Sequence, residues 1–80
     1  MEINFPQTLL ACVREKFAIS EPCTCLENFP AFFEAIFSKW NLSCDIDILP
    51  VEDGCLVRVR ENDLLDFYYL LSKLKEEGLL

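Results

Sequence analysis

Histidine is absent from the chain, and glycine occurs only twice, at Gly54 and Gly78. Without imidazole the sequence has no ready general acid–base group, and a zinc site would have to be built from cysteine or carboxylate. Two glycines do not make a phosphate-cradling loop, and a G-x-S-x-G nucleophile turn is missing. Basic residues are also scarce. Seven Lys and Arg face 14 Asp and Glu, giving a formal charge of −7 and a pI near 4.3. That balance excludes the clustered cations needed to displace phosphate counterions, so neither nucleic acid nor an anionic membrane is an expected ligand. No apolar run approaches the ~18 residues of a membrane span. Met1-Glu2-Ile3-Asn4-Phe5-Pro6 lacks a basic n-region before an apolar core, so a cytoplasmic location is expected. No catalytic residue, cofactor or metal is predicted.

Core material is plentiful. Hydrophobic residues make up 52% of the 80 positions, and no Ser-, Gln- or Pro-rich tract interrupts them, so residues 1–80 read as one folded domain. The acidic excess serves solubility in its plainest reading; it also suits a basic protein surface as partner. Five cysteines (Cys12, Cys23, Cys25, Cys44, Cys55) are an odd number, which argues against a disulfide framework. Buried reduced thiols are the favoured reading, because free Cys packs as a small hydrophobe. A four-cysteine zinc set built on Cys23-Thr24-Cys25 would need Cys44 and Cys55 to leave their strands' apolar face.

The pattern along the chain predicts β-α-α-β-β-α, an α+β domain with three helices packed against a small sheet containing an antiparallel hairpin. Met1 to Phe5 alternates as a short strand. Pro6 suits a first helical turn, and Leu9, Leu10, Val13 and Phe17 set a helix over about 6–17. Ser20 to Cys25 reads as a loop around Pro22. Asn28 is expected to cap a second helix, which Asn41 and Ser43 terminate. Cys44-Asp45-Ile46-Asp47-Ile48-Leu49 and Cys55-Leu56-Val57-Arg58-Val59-Arg60 alternate with period two. An Asp53-Gly54 turn between them would set Ile48 opposite Val59 and Asp47 opposite Arg60. Asn62 is expected to cap a third helix with Leu64, Phe67, Tyr68, Leu71 and Leu74 buried, Asp63 and Asp66 in its first turn, and Gly78 at its end.

Glu27-Asn28-Phe29-Pro30-Ala31-Phe32-Phe33-Glu34-Ala35-Ile36-Phe37-Ser38-Lys39-Trp40 is the most distinctive segment, with five aromatics in one helix-length window. Its apolar arc exceeds the roughly 100° stripe that core packing uses. Phe29, Phe33, Ile36 and Trp40 are assigned to the core. Phe32 and Phe37, on the flank, are assigned to an interface, either a docking site or a homodimer.

The same segment, from Glu27 to Ile36, resembles a motif of the barstar family of ribonuclease inhibitors. Val13-Arg14-Glu15-Lys16-Phe17-Ala18-Ile19 is similar to that family's first helix and its exit, and Leu71 to Gly78 to its final helix. Such proteins set acidic side chains on the second helix and neighbouring loop, where they imitate RNA phosphates in a basic ribonuclease cleft. Of the two helical acidic positions the first is Pro30 here and the second is Glu34; the acidic position of the final helix falls at about Lys73. Pro22-Cys23-Thr24-Cys25 replaces the family's aromatic–Gly pattern. The resemblance implies a parallel sheet with a further final strand, whereas the hairpin here reads as antiparallel.

Carboxylates gather at Asp45, Asp47, Glu52 and Asp53, and again at Glu61, Asp63 and Asp66. The expected partner-binding residues are Glu27, Phe32, Glu34, Phe37, Asp45, Asp47, Asp63 and Asp66. The function they imply is that of a small acidic inhibitor occupying a basic surface of a nuclease or a nucleic-acid-handling complex, of immunity-protein or phage-inhibitor type. The alternative is a structural or regulatory module that self-associates through the aromatic helix.

Overall fold

The computed structural model describes residues 1–80 and contains seven elements. They are strand β1 (Glu2–Pro6), helix α1 (Gln7–Lys16), helix α2 (Phe29–Lys39), strand β2 (Ile46–Val51), strand β3 (Gly54–Val59), a 3-10 turn (Glu61–Asp63) and helix α3 (Leu64–Glu76). The order is the expected β-α-α-β-β-α. The sheet runs β1-β3-β2 with both pairings antiparallel, unlike the parallel sheet that the barstar resemblance implies.

Period-two alternation divides the sheet into two faces. Ile3, Phe5, Cys55, Val57, Val59, Ile46 and Ile48 point inward and are buried or half-buried, while Glu2, Asn4, Asp47, Leu49 and Arg58 point outward and are exposed. Sixteen buried residues make one core, and none of them carries a polar or charged side chain. At its centre four rings close a cycle across three elements. Phe5 of β1 meets Phe33 of α2 at 5.4 Å, Phe33 meets Phe37 at 6.4 Å, Phe37 meets Phe67 of α3 at 6.4 Å, and Phe67 returns to Phe5 at 6.3 Å. Three of the four contacts are edge-to-face, the arrangement the ring quadrupole favours.

All three helices end alike. The residue after each C-cap (Ala18, Asn41, Gly78) has φ of 54°, 58° and 76°. Bonds from Ile19 to Arg14 (2.9 Å), Leu42 to Phe37 (2.9 Å) and Leu79 to Leu74 (2.9 Å) close each end as a Schellman motif. The apolar residue after each left-handed position tucks onto the core. Asn41 and Gly78 announce such an ending in sequence, whereas Ala18 does not.

The hairpin differs from expectation by two residues. Ile48 faces Val57 and Asp47 faces Arg58, because the turn is Glu52-Asp53 and Gly54 already belongs to β3. An Asp53-Gly54 turn of the favoured hairpin type needs φ > 0 at both residues, but Asp53 is not among the positive-φ residues. Gly54 instead spends its freedom in the strand, at φ 125°, where the end of β1 runs so close alongside that a Cβ would lie 2.0 Å from the Phe5 carbonyl oxygen. A slip of two keeps every side chain on its expected face. The third helix also starts later than expected. Asn62 lies within the 3-10 turn, no side chain caps α3, and Tyr68 is 50% exposed while Leu70 takes the buried position.

Two stability measurements check this account. Gly54→Ala should lower the unfolding free energy by at least about 2–3 kcal/mol, since backbone strain and a backbone clash coincide there. Ala18→Gly should raise it by about 0.5–1 kcal/mol, because removing an exposed Cβ from a left-handed position outweighs the added chain entropy. Urea titration of both variants reads the two signs; a neutral Gly54→Ala would refute the close approach of the β1 backbone to Gly54.

Candidate functional site

The expected site residues separate into three groups, with Glu27 apart from all of them. Phe32 is a correction: it is 0% exposed and reaches no surface, while Phe37, 5% exposed, is a core residue rather than an exposed flank and shows only an edge to the groove between α2 and β2. The reason is coverage. Phe33 packs on Phe5 of the sheet and Phe37 on Phe67 of α3, so an apolar arc wider than the usual stripe is enclosed by a chain of only 80 residues. Trp40, assigned to the core, is half-buried and packs edge-on to Phe17 at 5.1 Å.

Glu34, Asp45 and Asp47 do come together. They border a groove of about 610 Å³ between α2 and the free edge of β2, also lined by Pro30, Phe33, Phe37, Leu42, Ile46 and Ile48. Phe33 and Phe37, nearly fully buried, form its floor. No Lys or Arg lines it. The chain's side-chain ion pairs, Lys16–Glu77, Arg58–Glu2 and Lys73–Glu76, involve none of its three carboxylates. Asp47 faces Arg58 across the hairpin, yet the Arg58 guanidinium bonds Glu2 on the far strand.

Asp63 and Asp66 stand behind one end of this groove and are partly committed to the fold. The Asp45 N–H donates to Asp63 Oδ2 at 3.2 Å, and the Ser43 N–H donates to Asp66 Oδ2 at 3.3 Å. The Cys44 thiol donates to the Asp63 carbonyl at 3.6 Å. These bonds tie the α2–β2 connection to the start of α3 and fix where Asp45 sits. They also explain why Asp63 does not cap its own helix. Burial, reinforced by Asp66, Asp63 and Asp45, pushes the Cys44 thiol up to about 11. Glu27 lies apart on the exposed loop before α2, where a hydrogen bond from the Cys25 thiol holds its carboxyl below the usual range.

The cysteines remain free thiols: Cys23 and Cys55 are buried, Cys44 half-buried, Cys12 and Cys25 exposed. Burial pushes Cys55 up to about 11 as well. No cluster of three or more Cys, Asp or Glu side chains is arranged to hold a metal ion. Sequence reasoning missed one surface feature. Leu65 (84% exposed), Tyr68 and Tyr69 form an apolar ridge on the outer side of α3, with Lys73 Nζ 5.3 Å from the Tyr69 ring centre. Their i, i+3, i+4 spacing was the available signal.

No protein-family model, curated protein or solved structure matches this chain. No helix is long and apolar enough to cross a membrane.

Cys23 and Cys25 are also shifted upward, but the two thiols raised to about 11, Cys44 and Cys55, give the pH test. Both stay protonated in the folded chain between about pH 9 and 11, where the unfolded chain's thiols ionise. The folded state then binds more protons, so this contribution is fully present below about pH 9 and is lost as pH rises towards 11. Urea unfolding across that window should show the decline, and a Cys44→Ala, Cys55→Ala double variant should show a shallower one. The slope is the readout, because the substitutions also change core packing. An unchanged slope would refute the burial of these thiols.

Proposed function

We propose that the chain is a non-enzymatic, cytoplasmic inhibitor that occupies a basic surface on a nuclease or another nucleic-acid-handling enzyme. The observation carrying this reading is the groove between α2 and β2, whose only charged side chains are Glu34, Asp45 and Asp47, none of them in an ion pair. Unneutralised carboxylates beside an apolar floor suit a lysine- or arginine-bearing surface, and the net charge of −7 accelerates encounter with one. Mimicry of nucleic-acid phosphates connects such a surface to nuclease-type targets, as the barstar resemblance around Glu34 also implies. Asp63 and Asp66 contribute negative field from behind while they hold the connection in place.

A self-associating module is the second reading, and the exposed Leu65, Tyr68 and Tyr69 ridge on α3 is what favours it. The aromatic face of α2 has no such role in the monomer. Phe32→Glu should unfold the chain rather than dissociate a dimer, since it places an unpaired charge at a fully buried site.

Affinity capture from the native lysate, repeated with a Glu34→Gln, Asp45→Asn, Asp47→Asn variant, separates the two readings. A basic nucleic-acid-handling enzyme held at low salt, released at high salt and lost with the triple variant is the expected result. Its activity should fall on adding the purified chain. Equal capture by the variant would remove the groove from the function. A salt-resistant homodimer dissolved by Leu65→Lys would select the second reading.

A further inference from the structure

The groove lies where another strand would continue the sheet. The Val59 N–H donates to the Met1 carbonyl at 2.8 Å, and the Met1 amino group donates to the Val59 carbonyl at 3.3 Å. In an antiparallel ladder successive residues turn their backbone groups to opposite sides. Val59, Val57 and Cys55 therefore address β1, while Arg58, Leu56 and Gly54 address β2 through Asp47, Leu49 and Val51. The remaining groups of β2 point away from the sheet: the N–H and C=O of Ile46 and Ile48, and the C=O of Pro50. In the sheet order β1-β3-β2 this edge has no neighbour. Instead it opens on the groove whose far wall and floor are Pro30, Phe33, Glu34 and Phe37 of α2.

We propose that the partner enters this groove as an extended segment and pairs with β2 as a fourth strand. Its inward side chains lie against Phe33 and Phe37 of α2, and lysine or arginine side chains on its outward face meet Asp45 and Asp47, with Glu34 adding negative field from α2. Such strand addition takes affinity from main-chain bonds and specificity from the pockets along the edge. The charge pattern decides between occupants. A second copy of this chain pairing edge to edge would bring Asp45 and Asp47 against their own counterparts, with like charges opposed. A basic segment meets only opposite charge. Pro50 has no N–H to offer, so pairing centres on Ile46 and Ile48. The proposal rests on the acidic-groove reading above and adds the partner's conformation to it.

The probe is a capped hexapeptide of alternating valine and lysine, titrated into the ¹⁵N-labelled full chain at low salt. Three controls accompany it: one with glutamate for lysine, one N-methylated on every valine nitrogen, and one N-methylated on every lysine nitrogen. The lysine peptide should bind and slow hydrogen exchange of the Ile46 and Ile48 amides, and the glutamate peptide should not bind. One methylated peptide should bind about tenfold or more weakly, having lost its bonds to the edge, while the other, methylated on the outward side, keeps its affinity. Equal binding by both methylated peptides, with binding still reduced by Asp45→Asn and Asp47→Asn, would overturn strand addition and leave the acidic groove intact. No binding by the lysine peptide, or shifts centred away from α2 and β2, would overturn both.

Discussion

The ring cycle Phe5–Phe33–Phe37–Phe67 is the contact on which the other features depend. It joins the first strand, the second helix and the last helix, elements far apart in sequence. Each ring is almost wholly buried, and truncating any of them to Ala would cost about 3–5 kcal/mol, a large share of the stability of so small a domain. Because the cycle takes both Phe33 and Phe37, α2 is fixed with Pro30 and Glu34 towards the free edge of β2. The groove is thus a consequence of core packing. Its floor is the outer side of the rings that hold the chain together.

A core without one buried polar side chain sends every carboxylate to the surface, and the surface divides them by task. Glu2, Glu76 and Glu77 are neutralised in exposed ion pairs, each worth at most about 1 kcal/mol. Asp63 and Asp66 accept backbone N–H groups from the α2–β2 connection and so act as structural ties. Glu34, Asp45 and Asp47 are in no ion pair, Arg58 opposite Asp47 being held by Glu2 instead. Asp45 links the last two groups: its N–H is held by Asp63 while its own side chain borders the groove.

Sequence pattern revealed most of the architecture, because the signals involved are local. Alternation at Ile46–Ile48 and Cys55–Val59 places the inward face correctly whatever the register, since the slip is an even number of residues. The turn itself was misplaced for a non-local reason: Gly54 answers to the carbonyl of Phe5, roughly fifty positions earlier, which no hairpin rule contains. Burial of Phe32 and Phe37 was illegible for the same reason, as it depends on how two other elements close over α2. Within the candidate site the acidic residues were legible as a set. Their division into groove-lining and structural roles was not, because it follows from the fold of Ser43 to Asp45 against α3. The left-handed Ala18 shows the converse case, in which an unfavourable residue is carried by a Schellman ending whose apolar clasp, Ile19, is buried.

An open edge is a liability in any small sheet, and proteins blunt it with charge, proline or short length. Here β2 has Asp47 within it, Asp45 just before it and Pro50 near its end, all on a strand of six residues. Those features disfavour pairing with another copy. They would not disfavour a basic strand, because cross-strand pairs of opposite charge stabilise where like pairs repel. The same carboxylates therefore serve two purposes in the proposed complex: they keep the free protein from adding strands of its own kind, and they select the kind of strand it accepts. Discrimination of this sort needs no further contact surface, since specificity is the difference between an attractive and a repulsive pairing on one edge.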